Sequence, residues 1–100
     1  MHPVDAHKDA IEALCRRHDV RRLFAFGSVL SDRLSADSDV DLVVEFSGVD
    51  LSSYADNHYS FKFALEAMLA HPVDLLEEQA IRNPFFKKNL EAQRQLLYAA

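Results

Sequence analysis

The sequence predicts a small α/β (α+β) domain in which one mixed β-sheet is flanked by helices. Three observations predict it. Short apolar runs rich in β-branched residues alternate with stretches of helical periodicity. Glycine occurs 2 times and proline 3 times, so loops are short and most of the chain is regular structure. A length of 100 residues supports one core, but not a core plus a separate substrate domain. Residues 1–100 therefore read as a single domain.

Residues 4–18 read as an amphipathic helix, with Val4, His7, Ile11, Leu14, Cys15 and His18 at three-and-four spacing. Asp5 in its first turn and Arg16 and Arg17 in its last complement the helix dipole. Leu23-Phe24-Ala25-Phe26 is a buried strand that runs into Gly27. Ser28 to Leu34 is a short helical turn, and Ser35-Ala36-Asp37-Ser38 is a polar loop. Val40, Leu42, Val43, Val44 and Phe46, interleaved with Asp39, Asp41 and Glu45, form a second strand. Ser47-Gly48-Val49-Asp50 ends it. Ser53 and Asp56 have capping-box spacing, which starts a helix there. Phe61, Leu65, Met68 and Leu69 line one face of that helix to about residue 70. His71-Pro72 stops it, and Val73 to Leu76 is a third short strand. Asn83-Pro84 reads as an N-cap followed by proline at the first helical position. The last helix then runs to about Tyr98, with Phe86, Leu90 and Leu97 on one face.

Composition excludes several classes of function. A net charge of −5 lacks the basic footprint of a general nucleic-acid binder. The lone Cys15 has no internal disulfide partner and suits a reducing compartment. No N-terminal apolar region marks a secretory leader, and no apolar run has the length of a membrane span. The expectation is a cytoplasmic protein without membrane contact.

The chemistry lies in Gly27-Ser28, ten intervening residues, and Asp39-Val40-Asp41. Asp39 and Asp41 are two apart on a strand, so both carboxylates project from one face, roughly 6–7 Å apart. Two like charges that close resist joint ionisation without a cation between them. Oxygen-only ligands select hard ions such as Mg²⁺, which keeps waters and accepts phosphate oxygens. Asp74, an acid inside the apolar stretch Val73 to Leu76, is the candidate third carboxylate of a two-metal arrangement. Gly27-Ser28 sits where a strand ends and a short helix starts. The glycine admits close backbone approach to a phosphate, and the helix start offers free N–H groups. The Ser28 hydroxyl is a further donor to a triphosphate. In such a site one metal lowers the pKa of an acceptor hydroxyl and the other stabilises departing pyrophosphate. The bland alternative is a capping serine and solvated turn aspartates.

Phe26-Gly27-Ser28, Asp39-Val40-Asp41-Leu42-Val43 and His71-Pro72-Val73-Asp74-Leu75 together resemble the minimal nucleotidyltransferases of the DNA polymerase β superfamily. The likeness spans nearly the whole chain. Within that superfamily the chain is similar to small prokaryotic antitoxins paired with HEPN-domain ribonuclease toxins. The resemblance implies a polymerase-β-like nucleotidyltransferase fold. It implies that Asp39, Asp41 and Asp74 bind two Mg²⁺ ions and that Gly27 and Ser28 bind the triphosphate. The implied activity is transfer of AMP from ATP to a tyrosine of the HEPN toxin. Many members carry arginine directly after the Gly-Ser pair, where this chain has Val29-Leu30. Arg33 offers the same charge from another position. Two other readings stay open: an antitoxin that neutralises its partner by complex formation alone, and nucleotidyl transfer to RNA or a small molecule.

The remaining candidates have ordinary readings. Arg16, Arg17, Arg21 and Arg22 form a basic cluster read as a solvated helix end. Lys87, Lys88 and Arg94 are read as a solvated helix face, and Lys62 as solvent-facing. His7 and His18 are core-edge residues and Cys15 is buried packing. Phe85, Phe86 and Tyr98 exceed what one short helix needs for its own core, which leaves open a surface for a partner or a second copy.

Overall fold

The computed structural model describes residues 7–26 and 39–100. Helix α1, Lys8–Arg17, buries Ile11 and Cys15 one turn apart. It stops at His18, which is 7% exposed. The Nδ1 of His18 lies 2.9 Å from the Leu14 carbonyl. A carbonyl only accepts, so Nδ1 carries the proton, and Nε2 accepts from the Ser60 hydroxyl at 3.1 Å. His18 is thus a satisfied core-edge residue, as expected. Asp19 takes φ 57°, a left-handed conformation that aspartate tolerates, and turns the chain into the sheet.

Strand β1, Val20–Phe26, begins ahead of the predicted Leu23. Its early part includes Arg22, which Glu45 holds across the ladder. Strand β2 is Val40–Phe46, as the alternation predicts. Helix α2, Leu51–Leu69, starts before Ser53. The capping-box reading is therefore corrected. Asp50 is the N-cap, with no side-chain cap bond, and its carbonyl accepts from the Ser53 N–H at 3.0 Å. Phe61, Leu65 and Leu69 of α2 are buried, and Met68 packs beside them. The helix ends on Ala70 at φ 56°, whose N–H reaches the Glu66 carbonyl at 2.9 Å. Strand β3, Val73–Glu77, follows at once. Its first N–H donates to the Glu66 carboxylate at 2.8 Å, which joins the end of α2 to the start of β3.

After a 3₁₀ turn at Glu78–Ala80 comes helix α3, Pro84–Gln93. Asn83 caps it, its side-chain oxygen accepting from the N–H groups of Phe85 at 3.0 Å and Phe86 at 3.1 Å. The prediction that this helix runs to Tyr98 is wrong. Arg94 is already extended, at φ −75° and ψ 147°, and Gln95–Ala99 forms strand β4. No glycine or proline marks that break. It is set by the free edge of β1, whose backbone groups β4 satisfies in antiparallel register. The predicted short helical turn Ser28–Leu34 and the loop 35–38 lie outside the described residues.

The four strands are ordered β3-β2-β1-β4. β1 pairs antiparallel with β2 and β4, while β2 and β3 are parallel, joined by the α2 crossover. Helices α1 and α2 cover one face. There Ile11, Cys15, Leu23, Val40, Leu42, Val44, Phe61 and Leu65 form the main core with their neighbours. A smaller cluster on the other face joins Leu90 of α3 to Phe24 and Val43. That second face is only partly covered, and it carries the acidic residues.

Candidate active site

Alternation along β2 sends Val40, Leu42 and Val44 into the main core. The intervening residues Asp41, Val43 and Glu45 take the opposite face. Asp39 directly precedes the strand. In the parallel ladder Asp41 is paired with Asp74 of β3, Cα to Cα. Paired residues of neighbouring strands share a face, with the strands about 4.8 Å apart. The register thus sets Asp74 beside Asp41 on that face. Asp41 is half-buried, while Asp39 and Asp74 are exposed. Burial pushes the Asp41 carboxyl above its ordinary pKa, and the charges of Asp74 and then Asp39 push it further the same way. Asp39 and Asp74 therefore both act on Asp41.

This donor set fits a hard cation. It is all oxygen, and its members repel one another in a way a cation relieves. The side chains are not drawn to a common point: among the described residues no group of three or more His, Cys, Asp or Glu is gathered to hold a metal ion. Gly27, Ser28 and Arg33, the predicted triphosphate ligands, lie outside the described residues. The chain enters them from Phe26, the last residue of β1 and the register partner of Asp41.

Further along the same face lies an ionic network that the sequence reading missed. Arg22 forks onto Glu45 through Nε at 3.1 Å and Nη2 at 3.0 Å. Arg22 also reaches Glu78 at 3.4 Å, and Glu78 accepts from Arg94 at 3.1 Å. The Arg94 guanidinium lies 3.9 Å above the Phe24 ring. Hydrogen bonding by Arg22, then the surrounding arginine charges, hold the Glu45 carboxyl below its ordinary pKa against the opposing effect of burial. Arg94 is thus a structural tie rather than a solvated charge, while Arg22 is paired but remains 40% exposed. The one available sequence signal was the alternation that sets Glu45 on the face of Asp41. Arg21, Lys87 and Lys88 are exposed, as expected, while Lys62 is half-buried. Phe85 is 79% exposed, whereas Tyr98 packs against the main core.

Residues 7–97 match the family described as the nucleotidyltransferase domain. A candidate protein adenylyltransferase of Methanocaldococcus jannaschii is 31% identical over 75 residues, covering 75% of this chain and 74% of that protein. A solved candidate minimal nucleotidyltransferase superimposes with a TM-score of 0.78 at 30% identity, covering 95% of each chain. A structure of a tri-AMPylated Shewanella oneidensis HEPN toxin in complex with MNT antitoxin shares the fold, with a TM-score of 0.65 and 17% identity. That match covers 96% of this chain and 72% of the other.

Proposed function

The chain belongs to the nucleotidyltransferase domain family, and from that premise we propose that it is a Mg²⁺-dependent antitoxin that transfers AMP from ATP to a tyrosine of a HEPN-domain toxin. The observation that carries the reading is the register that pairs Asp41 with Asp74 beside the strand end leading into Gly27-Ser28. The candidate adenylyltransferase relative and the HEPN–MNT complex of the same fold support the donor and the partner.

In this reading Asp39, Asp41 and Asp74 hold the cations, Gly27 and Ser28 hold the triphosphate, and Arg33 adds positive charge. Bound Mg²⁺ offsets triphosphate charge and lowers the pKa of the acceptor hydroxyl. The chain's residues fix the α-phosphorus in line with that hydroxyl. The tyrosine oxygen bonds to the α-phosphorus, and the bond from that phosphorus to the bridging oxygen of pyrophosphate breaks. The phenolic proton is lost to the carboxylate cluster or to water. Among the described residues no helix is long and apolar enough to cross a membrane. The free thiol of Cys15 suits the cytoplasm, where we place the reaction.

The test is to incubate the chain with ATP, Mg²⁺ and a HEPN-domain protein and to weigh that protein. Adenylate mass increments are expected. Asp41→Asn, alone or with Asp39→Asn, should cut their rate by at least about a hundredfold. An unchanged HEPN mass with the intact chain sinks the transfer reading. Neutralisation that persists in the Asn variants assigns the effect to complex formation instead.

A further inference from the structure

We propose that the outer edge of β4 is a docking site for an extended segment of a protein partner, which adds a fifth strand and sets two carboxylates against Lys8 and Arg16 of α1. The inference is independent of the nucleotidyl-transfer reading.

The two edges of the sheet differ. In the order β3-β2-β1-β4, the outer strands β3 and β4 are each bonded on one side only among the described residues. A sheet edge presents a row of unpaired backbone N–H and C=O groups, and charges or proline on natural edges keep other strands away. The β3 edge is protected in this way, since Pro72 precedes it and Asp74 and Glu77 lie within it. Strand β4 holds neither a charge nor a proline. Its register on β1 shifts at Leu97, so that Leu97 and Tyr98 both pack against the main core. Leu96, 51% exposed, is left as an apolar contact on the opposite face.

A groove of about 290 Å³ follows that edge. One wall is the strand from Leu96 to Ala99, and the other is Lys8, Glu12 and Arg16, spaced one turn apart on α1. Eight residues of helix put Lys8 and Arg16 about 12 Å apart. Residues i and i+4 of a strand share a face about 13 Å apart. An added strand thus offers two side chains at the spacing of the two cations, with residue i+2 opposite Glu12. The signs call for carboxylates at i and i+4 and a hydroxyl donor at i+2. They read the same in both directions, so parallel and antiparallel pairing satisfy them alike. Arg16 is 69% exposed and lies 3.9 Å from Glu12. So exposed a pair is weak, which leaves the guanidinium open to a second carboxylate. On the other face the added strand meets Leu96, the register partner of Phe24, which favours apolar residues at i+1 and i+3.

A second copy of this chain is the competing occupant. Two-fold pairing of β4 with itself about the middle of the groove sets Glu12 toward the copy's Glu12 and Lys8 toward its Arg16. Like charges there oppose the pairing, and an uncharged strand brings no carboxylate to either cation. A partner segment with alternating acidic and apolar residues meets both walls of the groove.

The test titrates the full chain into a fluorescently labelled peptide, Thr-Glu-Val-Thr-Val-Glu-Thr with blocked ends, and reads anisotropy. The peptide should bind saturably, and a twin with lysine at both glutamate positions should bind about tenfold more weakly. Lys8→Glu combined with Arg16→Glu should reverse that preference. Both positions are exposed, and circular dichroism checks that the variant folds. N-methylation of one alternating set of peptide amides should abolish binding, while the other set, which faces away from β4, tolerates it. Absence of saturable binding by the acidic peptide overturns the proposal. So does a charge preference that the double variant leaves unchanged, or binding that survives methylation of either set. Sedimentation of wild type as a dimer that Leu96→Lys dissolves assigns the edge to a second copy, and the proposal falls.

Discussion

At the scale of single residues, the placing of the candidate acids was legible where spacing alone sets geometry. Period-two alternation turns Asp41 away from the main core, Asp39 directly precedes the strand, and Asp74 was singled out as an acid in an apolar stretch. The arginines were misread because their partners are remote in sequence. Glu45 is 23 residues from Arg22, and Glu78 is 16 from Arg94. Nothing local distinguishes a paired arginine from a solvated one. The pairing has a pH signature. The folded state holds the Glu45 carboxyl below its ordinary value of 4.5. Its contribution is therefore present above that value and is lost as pH falls through the lower, folded pKa. Glu45→Gln should cost about 0.5 kcal/mol at pH 7, because the pair is partly solvated. The difference from wild type should close on acidification below the ordinary glutamate range. Urea denaturation of both proteins across pH measures it, and a gap that persists in acid rules out the ionic origin.

At the scale of elements, helix interiors were readable, as were the Asn83-Pro84 start of α3 and the end of α2 near residue 70, but the start of α2 and the end of α3 were not. Buried Phe61, Leu65 and Leu69 follow the predicted stripe of α2. Its start moved ahead of the Ser53–Asp56 pair, since no side-chain cap forms there. Its end is closed by Ala70 in the left-handed conformation that glycine adopts freely. An alanine there carries a strain of about 1–2 kcal/mol, partly offset by its lower entropy when unfolded. Ala70→Gly should therefore stabilise the protein by about 0.5 kcal/mol, read as a higher denaturation midpoint at unchanged slope. A lower midpoint would show that Ala70 is not strained. The end of α3 was less readable still. Leu90 and Leu97 stand two helical turns apart and suggest one helix, but the chain turns extended at Arg94 between them.

At the scale of the molecule, one sheet carries two different faces. Leu23 shows the cost of disturbing it. It is fully buried in β1, paired with Val44 on one side and Tyr98 on the other. Leu23→Ala should cost about 3 kcal/mol by the cavity it leaves. That is a large share of the roughly 5–15 kcal/mol that holds such a domain together. Chemical denaturation should show one cooperative transition at a lower midpoint. Two separate transitions would show that the faces unfold independently. The sequence by itself determined the α/β class, the helix-facing core, three of the strands and the places of Asp41 and Asp74 on two of them. These depend on periodicity, which a chain carries locally. Only the tertiary structure decided that Gln95–Ala99 is a strand, that Asp41 is paired with Asp74, and that Arg94 is tied to Glu78 over the Phe24 ring. A helix closes its hydrogen bonds within four residues, so its pattern shows in the local sequence. A strand bonds to whichever edge the rest of the fold brings to it, and a site belongs to the residues that such pairing gathers.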